Sequence, residues 1–195
     1  MSEVRLRPAQ MADVNDILDL VNGMARDQVM LPRSPASVVE GIRSFTVAEV
    51  DGAFAGCGAL TVVWTDIAEI RSIAVRREYQ KLRIGYSLGE ALLKDAEELG
   101  IARVMAFTYV PGFFERLGFE VVEHASLPHK VFNDCLNCPK FQACDEVAVM
   151  RVLRAPDETP DQGPLSLPRP GMPLPRIGRH GDGQAPHPAP KPLEP

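Results

Sequence analysis

Residues 69–75 are predicted to form a β-strand of a sheet, with alternate side chains on its two faces. Successive side chains of a strand point to opposite faces of its sheet. The alternation predicts that one face carries Glu69, Arg71, Ile73 and Val75, and that the other carries Ile70, Ser72 and Ala74.

A helix is predicted shortly after this strand, because apolar residues recur at every third or fourth position and Gly100 follows as a typical helix end. These apolar residues are Ile84, Leu88, Leu92, Ala96 and Leu99. The connection, residues 76–83, is short and basic. The first turn of a helix has N–H groups without intrahelical partners and carries the positive end of the helix dipole. The pattern therefore predicts a site for a phosphate-bearing cofactor at this turn.

The remaining pattern predicts an α/β fold, a mixed sandwich built around one sheet. Its elements follow in the order strand, helix, short helix, strand pair, strand, helix, strand, helix, strand, strand. The dipeptide Asp51-Gly52 is the strongest hairpin signal in the chain. We assign residues 3–154 to a single folded domain.

Composition changes abruptly near residue 155. Twelve of the eighteen prolines lie beyond it, mixed with glycine and polar residues. Such a segment cannot bury enough apolar surface to form a core. We predict that residues 155–195 are a disordered Pro/Gly-rich tail, and nothing in it indicates a particular partner.

The predicted domain has a net charge of −4, counted over residues 3–154. This charge argues against a nucleic-acid partner and against an anionic membrane surface. No run approaches the roughly 20 apolar residues of a membrane span, and the charged N-terminus does not resemble a secretion signal. We therefore expect a cytoplasmic protein.

The segment Gln80-x-x-Arg83-x-Gly85 resembles the acetyl-CoA loop of the GNAT superfamily of N-acetyltransferases. The family usually has glycine at the position of Arg83, where the backbone approaches the pyrophosphate closely. Either the loop keeps a conformation that tolerates a side chain there, or the arginine itself joins the phosphate contacts. The resemblance implies that acetyl-CoA is bound by Ile73, Ala74, Val75, Gln80, Arg83, Ile84, Gly85, Tyr86 and Ser87.

A second marker, Phe113 to Phe119, resembles the family's Phe-Tyr-x-x-x-Gly-Phe helix and turn, with Phe114 in place of the tyrosine that acts as an acid. Within the superfamily the chain is most similar to the acetyltransferase domain of N-acetylglutamate synthases, which also carry phenylalanine there. This resemblance covers most of residues 3–124. It implies a GNAT-type mixed, mostly antiparallel sheet flanked by helices, a homodimer, and an amino-acid substrate. The implied reaction is acetylation of the α-amine of glutamate, towards arginine.

Acetyl transfer needs an unprotonated amine, so a base must take a proton from the ammonium group. The resemblance indicates Glu69 as this base, while the alternative is a strand-end carboxylate paired with Arg71 or Arg5. Tyr109 is a candidate replacement for the missing acid, because it lies at the end of a predicted strand.

A dicarboxylate substrate requires cations at the acceptor end. Arg33 matches an arginine of the synthases, and Arg71 is the second candidate, although a structural pair with Glu69 is equally open. Where full-length synthases carry an Arg-x-Ser-type contact, this chain has Asp145 and Glu146. Specificity for glutamate is therefore an open question.

Three cysteines follow a histidine between the last two predicted strands. They form the pattern Cys135-x-x-Cys138 with Cys144 after it, and the histidine is His129. Three thiolates and an imidazole can coordinate zinc. Reduced core thiols or a redox-sensitive lid are the alternatives, and the cysteine segment also occupies a position that can shape acceptor choice.

Two classes of function follow from these patterns. The first is an amino-acid N-acetyltransferase of the glutamate synthase type, with other small amines as further acceptors. The second is a non-catalytic acetyl-CoA-binding or cysteine-rich regulatory module on the same fold.

Overall fold

The structure is a computed structural model, and it describes residues 3–127 and 144–154. The strands are β1 (Val4–Pro8), β2 (Phe45–Val50), β3 (Ala53–Val62), β4 (Ile67–Val75), β5 (Arg103–Thr108), β6 (Glu120–Val121) and β7 (Val147–Val152). The α-helices are α1 (Val14–Arg26), α2 (Pro35–Glu40), α3 (Ile84–Glu98) and α4 (Pro111–Glu115). The predicted tail, residues 155–195, lies outside the described residues.

The seven strands form one sheet in the order β1-β2-β3-β4-β5-β7-β6. Every neighbouring pair is antiparallel except β4 and β5, which run parallel. The predicted mixed α/β fold with a mostly antiparallel sheet is therefore confirmed. Within the described residues, no helix is both long enough and apolar enough to cross a membrane.

The parallel pairing of β4 with β5 is short. It begins with Ile67 opposite Arg103 and ends with Glu69 opposite Met105. In the described part of the chain no further pair joins the two strands, although β4 continues to Val75. A gap therefore opens between the C-terminal halves of β4 and β5, and Glu69 lies where it begins.

Helices cover both faces of the sheet. Helix α3 packs its apolar stripe on one face, where Leu88 and Leu92 are fully buried. Helix α1 covers the other face with Ile17 and Val21, both also fully buried. These two apolar layers hold β3 and β4 between them, so the strand that carries Glu69 is a central strand.

A β-bulge in β4 changes which side chains share a face. Arg71 pairs with Ala59 and Ala74 pairs with Cys57, so two residues of β4 stand opposite the single Gly58 of β3. The extra residue is Ser72, whose φ of 51° lies in the left-handed region. An extra residue shifts a period-2 pattern by one position.

The predicted grouping of Ile73 and Val75 with Glu69 and Arg71 is therefore wrong. Ile73 and Val75 pack with helix α3 on the opposite face. Ala74 takes their place on the α1 face with Glu69 and Arg71, because residues paired across strands share a face.

Candidate active site

Glu69 and Arg71 form an ion pair beside the gap between β4 and β5. Arg71 donates to Oε2 of Glu69 from Nη2 at 2.6 Å and from Nε at 2.8 Å. The Glu69 side chain is 4% exposed and that of Arg71 is 13% exposed. The structural pair between the two residues, one of the alternatives left open by the sequence, is therefore present.

This pair gives the gap a charged wall on the side of helix α1. Because both side chains are almost removed from water, their interactions are screened less than those of surface charges. A carboxylate held beside the gap can accept a proton from a bound ammonium group, directly or through one water molecule. An arginine next to it can bind an acidic group of the same ligand.

Arg33 lies in the connection between α1 and α2, and Asn22 of α1 fixes its backbone. The Asn22 side chain accepts from the N–H of Arg33 at 2.9 Å and donates to its carbonyl oxygen at 3.1 Å. Ser34 then caps helix α2 by accepting from the N–H of Ser37 at 3.1 Å. These bonds hold the half-buried Arg33 at a defined place on the α1 side of the fold.

Tyr109 follows the end of β5, and its hydroxyl donates to Oδ1 of Asp145 at 2.8 Å. The proton that a catalytic acid would deliver is therefore directed to a carboxylate in this structure. Phe114 is 3% exposed and lies in the apolar core, with edge-on contacts to the rings of Phe113 and Phe119. Its role is packing.

The connection between β4 and α3 contains a turn of 3₁₀ helix, Arg77–Leu82, and then Arg83 in the left-handed conformation. Arg83 has φ 58° and ψ 18°, which is a conformation that glycine adopts without steric cost. The loop has therefore kept a glycine-like backbone while carrying a side chain. The Arg83 guanidinium lies 5.1 Å from the centre of the Tyr86 ring.

Helix α3 begins at this loop with main-chain N–H groups that have no acceptor within the helix. Its first intrahelical bond runs from the N–H of Ser87 to the carbonyl of Arg83 at 3.1 Å. The N–H groups of Ile84, Gly85 and Tyr86 consequently have no acceptor within the helix. Together with the helix dipole they favour an anion such as a pyrophosphate at this end.

Contacts to neighbouring elements hold the loop in place. Gln80 donates from Nε2 to the carbonyl of Val75 at 3.3 Å. Arg76 pairs with Asp16 of helix α1 at 2.6 Å, and Arg77 pairs with Asp27 at 2.7 Å. The loop is thereby attached to the end of β4 and to α1.

The structure brings the predicted cofactor residues together as one continuous segment, from the end of β4 to the first turn of α3. Of the predicted cofactor residues in β4, Ile73 and Val75 lie under helix α3, on the face opposite to Glu69 and Arg71, whereas Ala74 shares the face of that pair. Of the predicted zinc ligands, Cys144 is exposed, whereas Cys135, Cys138 and His129 lie outside the described residues. The described residues contain no group of three or more potential metal ligands, so the zinc site stays a prediction.

Sequence reasoning missed two residues that hold candidate site segments in place. Asn22 holds Arg33 across eleven residues of chain, and no local pattern links those two positions. The second residue is Cys57, whose thiol donates a hydrogen bond to the carbonyl oxygen of Ser72 at 3.6 Å. The flanking glycines, Gly56 and Gly58, are a usable signal, since glycine inside a strand often marks a bulge or a close backbone approach.

The chain is similar in sequence to known acetyltransferases. Residues 17–119 match the model of the Acetyltransferase (GNAT) family. An uncharacterized N-acetyltransferase from Chlorobaculum tepidum is 38% identical over 148 residues, which are 76% of this chain and 96% of the relative. An amino-acid acetyltransferase from Mycobacterium tuberculosis is 34% identical over 132 residues, covering 66% of this chain and 75% of the relative.

A solved structure shares the fold and was determined with ligands. It is the N-acetylglutamate synthase from Neisseria gonorrhoeae, complexed with coenzyme A and N-acetyl-glutamate. The TM-score is 0.71 at 25% sequence identity, and the match covers 80% of this chain. The chain spans 36% of that longer protein.

Proposed function

This chain belongs to the GNAT family of acetyltransferases, and we propose that it transfers the acetyl group of acetyl-CoA to the α-amine of L-glutamate. An acyltransferase that acts on amino acids is the function supported by the relatives as well as by the site. The observation that carries the proposal is the gap between β4 and β5. It begins at the buried Glu69, and β4, the strand along one side of it, continues to Val75 and then into the loop before helix α3.

The main chain would hold the cofactor. The pyrophosphate would lie at the N–H groups of Ile84, Gly85 and Tyr86, and the pantetheine arm would lie along β4 like an added strand. Arg83 adds a cation at the mouth of this site, so the unusual residue of the loop would supplement the backbone donors.

The chemistry needs one base and one set of donors. Glu69 takes a proton from the ammonium group, and the free amine attacks the thioester carbonyl carbon to form a C–N bond. Charge then develops on the carbonyl oxygen, which a main-chain N–H of β4 stabilises. Collapse of the intermediate breaks the C–S bond, the nitrogen loses its second proton to solvent, and CoA leaves as a thiolate that water or Tyr109 protonates.

Substrate recognition in this proposal uses the cations of the α1 side. Arg71 and Arg33 would bind the two carboxylates of glutamate, and Arg71 would also keep Glu69 oriented towards the gap. The coenzyme A and N-acetyl-glutamate bound to the Neisseria gonorrhoeae enzyme support this choice of ligands.

A second acceptor class is favoured by Asp145, whose carboxylate accepts from Tyr109 near the end of β5. Asp145 and Glu146 are two acidic residues at the sequence position where the synthases carry an Arg-x-Ser-type substrate contact. An amine that carries a further positive charge would suit these carboxylates better than glutamate does.

We extend the proposal to the setting of the reaction. Acetylation of glutamate is a first step towards arginine, and we assign the enzyme to the cytoplasm and to a homodimeric state. Light scattering on the purified full-length chain tests the last assignment, and a monomeric mass at the assay concentration would reject it.

The test of function is CoA release from acetyl-CoA with each of the twenty amino acids and several polyamines. We expect turnover with glutamate, and we expect Glu69→Gln to lower kcat/KM by about 10²–10⁴-fold. Glu49→Gln is the matched control, because Glu49 is also a strand glutamate that accepts from an arginine Nε at 2.8 Å, but far from the gap. Its kcat/KM should stay within about threefold of wild type.

Other results would change the proposal in defined ways. Turnover with lysine or a polyamine, and none with glutamate, would move the substrate to the second class. Equal losses in Glu69→Gln and Glu49→Gln would reject Glu69 as the base. Binding of acetyl-CoA without turnover on any acceptor would reject acetyltransferase activity on the amines of this panel.

A further inference from the structure

The bulge in β4 is matched by a three-residue segment of β3, Gly56-Cys57-Gly58. Gly58 is the single residue of β3 that faces the two bulge residues, Ser72 and Ile73. Ser72 has a left-handed φ of 51°, although serine has no general preference for that region. Something outside Ser72 must therefore hold this conformation, and the side of the bulge that faces β3 is the place to look.

The two glycines of the segment make room for the bulged strand. A Cβ atom on Gly56 would lie 2.7 Å from the carbonyl oxygen of Ala74, which is closer than real Cβ contacts. A Cβ atom on Gly58 would lie 3.0 Å from Cδ1 of Leu92 and 3.4 Å from Cγ1 of Ile73. Strand β3 is thus shaped to let β4 approach at the bulge.

Cys57, between the two glycines, provides the polar contact. Its thiol donates to the carbonyl oxygen of Ser72 at 3.6 Å. Cys57 is fully buried, and this burial raises the pKa of the thiol to about 12. The sulfur therefore keeps its proton, and with it its role as donor, over the whole working pH range.

This contact also sets the direction of a main-chain donor. The carbonyl of Ser72 and the N–H of Ile73 belong to the same peptide unit, and in a trans peptide these two groups point in opposite directions. The structure contains no cis peptide bond in its described residues. Since the carbonyl is held towards Cys57, the N–H of Ile73 points away from Cys57.

We propose that Cys57 is a positioning residue that fixes the N–H of Ile73 as the donor to the thioester carbonyl oxygen of acetyl-CoA. The proposal rests on the proposed function, because it assumes that acetyl-CoA lies along β4 in the gap. Cys57 acts through the peptide unit that joins Ser72 to Ile73, and in this proposal it contacts neither acetyl-CoA nor the amino acid. Its thiol takes no part in redox or covalent chemistry.

The kinetic test compares three variants of the full-length chain. Cys57→Ala removes the donor, and Cys57→Ser replaces it by a hydroxyl on a shorter bond. Val38→Ala removes two methyl groups from the same apolar cluster, which is a larger loss of volume than the single sulfur atom of Cys57. Val38 lies on helix α2 and is fully buried, so this control reports a loss of packing without a change at the bulge.

We expect Cys57→Ala to lower kcat by about tenfold, with the KM for acetyl-CoA within about twofold of wild type. This loss is smaller than the about 10²–10³-fold that follows deletion of an oxyanion donor, because the N–H is misdirected and not removed. Cys57→Ser should retain at least about a third of kcat, and Val38→Ala should retain kcat although it unfolds at a lower temperature. A wild-type kcat in Cys57→Ala would overturn the proposal. It would also be overturned if Cys57→Ser, or the control Val38→Ala, lost as much kcat as Cys57→Ala does.

A second readout separates this inference from the proposed function. In ¹⁵N-labelled protein, the amide proton of Ile73 should shift further downfield with acetyl-CoA than with CoA, and Cys57→Ala should reduce this difference. If no acceptor gives turnover but the acetyl-dependent shift is present and depends on Cys57, the function is rejected and the positioning role stands. The same shift difference in wild type and Cys57→Ala rejects the positioning role whatever the turnover, and no effect of acetyl-CoA on any β4 amide rejects both.

Discussion

Asp13→Asn should destabilise the fold strongly at neutral pH, because Asp13 is the central acceptor of a nearly buried network. Arg7 of β1 donates to both carboxylate oxygens of Asp13 at 2.7 and 2.8 Å, and the N–H of Gln10 donates to the same carboxylate at 2.7 Å. Nε of Arg7 also donates to Glu49 of β2 at 2.8 Å. The network therefore joins the first two strands to the start of helix α1.

The size of the effect follows from burial and from the partner that remains. The Asp13 side chain is 9% exposed and that of Arg7 is 20% exposed. Breaking a fully buried pair costs about 3–5 kcal/mol. Here Arg7 keeps Glu49 as a counter-ion and some contact with water, so we expect a loss of about 2–3 kcal/mol in the free energy of unfolding. For a domain of this size that corresponds to a fall in Tm of about 4–12 °C.

The effect should depend on pH in one direction. The bonds from Arg7 hold the pKa of Asp13 below its ordinary value of 3.8. A carboxyl group whose pKa is lowered by folding stabilises the fold above its unfolded pKa and loses that contribution as the pH falls through its folded pKa. The difference between wild type and Asp13→Asn should therefore be full at pH 7 and shrink below about pH 4.

Urea unfolding at pH 7 and at pH 3 measures this difference, and Asp27→Asn is the matched control. Asp27 also accepts from an arginine at 2.7 Å, but Arg77 is 82% exposed and Asp27 is 55% exposed. The control should cost less than about 1 kcal/mol. Equal losses for the two variants, or a gap for Asp13→Asn that is unchanged at pH 3, would refute the reasoning.

Three further substitutions test the site. Arg83→Gly should change stability by less than about 1 kcal/mol, because relief of the left-handed conformation is offset by the greater freedom of the unfolded chain. Its KM for acetyl-CoA should rise about 3–10-fold through loss of a cation, and a KM unchanged at low salt would contradict that role. Gly56→Ala should cost about 2–3 kcal/mol in urea unfolding, since its Cβ would lie 2.7 Å from the carbonyl oxygen of Ala74, and a neutral result would show that β3 and β4 can separate there. Asn22→Ala should cost about 1–2 kcal/mol and raise the KM for the amino acid more than that for acetyl-CoA, because two hydrogen bonds to the backbone of Arg33 are lost; parallel rises in both KM values would argue against Arg33 as a substrate contact.

The order of the elements could be predicted from the sequence because it depends on local signals. Alternation between residues 69 and 75 and the helical spacing that ends at Gly100 each lie within one element. The turn between them is short, so the position of the first turn of the helix next to the end of the strand follows from the same local pattern. Both the strand and the helix are present, as β4 and α3.

The faces of β4 could not be predicted, because a bulge has no reliable signature in the bulged strand itself. Ser72 is neither glycine nor asparagine, and the residues after it still alternate when they are read as a regular strand. The information lies on the partner strand, in Gly56 and Gly58, and it acts only once the strands are paired. The two hydrogen bonds between the Asn22 side chain and the backbone of Arg33 could not be predicted for a related reason, since they join two segments that meet only in the folded chain.

The bulge explains how the single strand β4 presents the pair of Glu69 and Arg71 on one face and apolar side chains to helix α3 on the other. On a regular strand, Ile73 and Val75 would share the face of Glu69 and Arg71, and the smaller Ser72 and Ala74 would face helix α3 beside Ile70. Burial of side chains such as Ile73 and Val75 stabilises by about 1.5–3 kcal/mol each when it is complete, so their loss would weaken the packing of helix α3 on the sheet. One extra residue resolves the conflict, because it leaves the charged pair on the α1 face and turns the apolar pair under α3. The left-handed Ser72 therefore lies between the charged pair and the apolar pair of β4, and the Cys57 thiol is the side-chain donor that contacts its carbonyl oxygen.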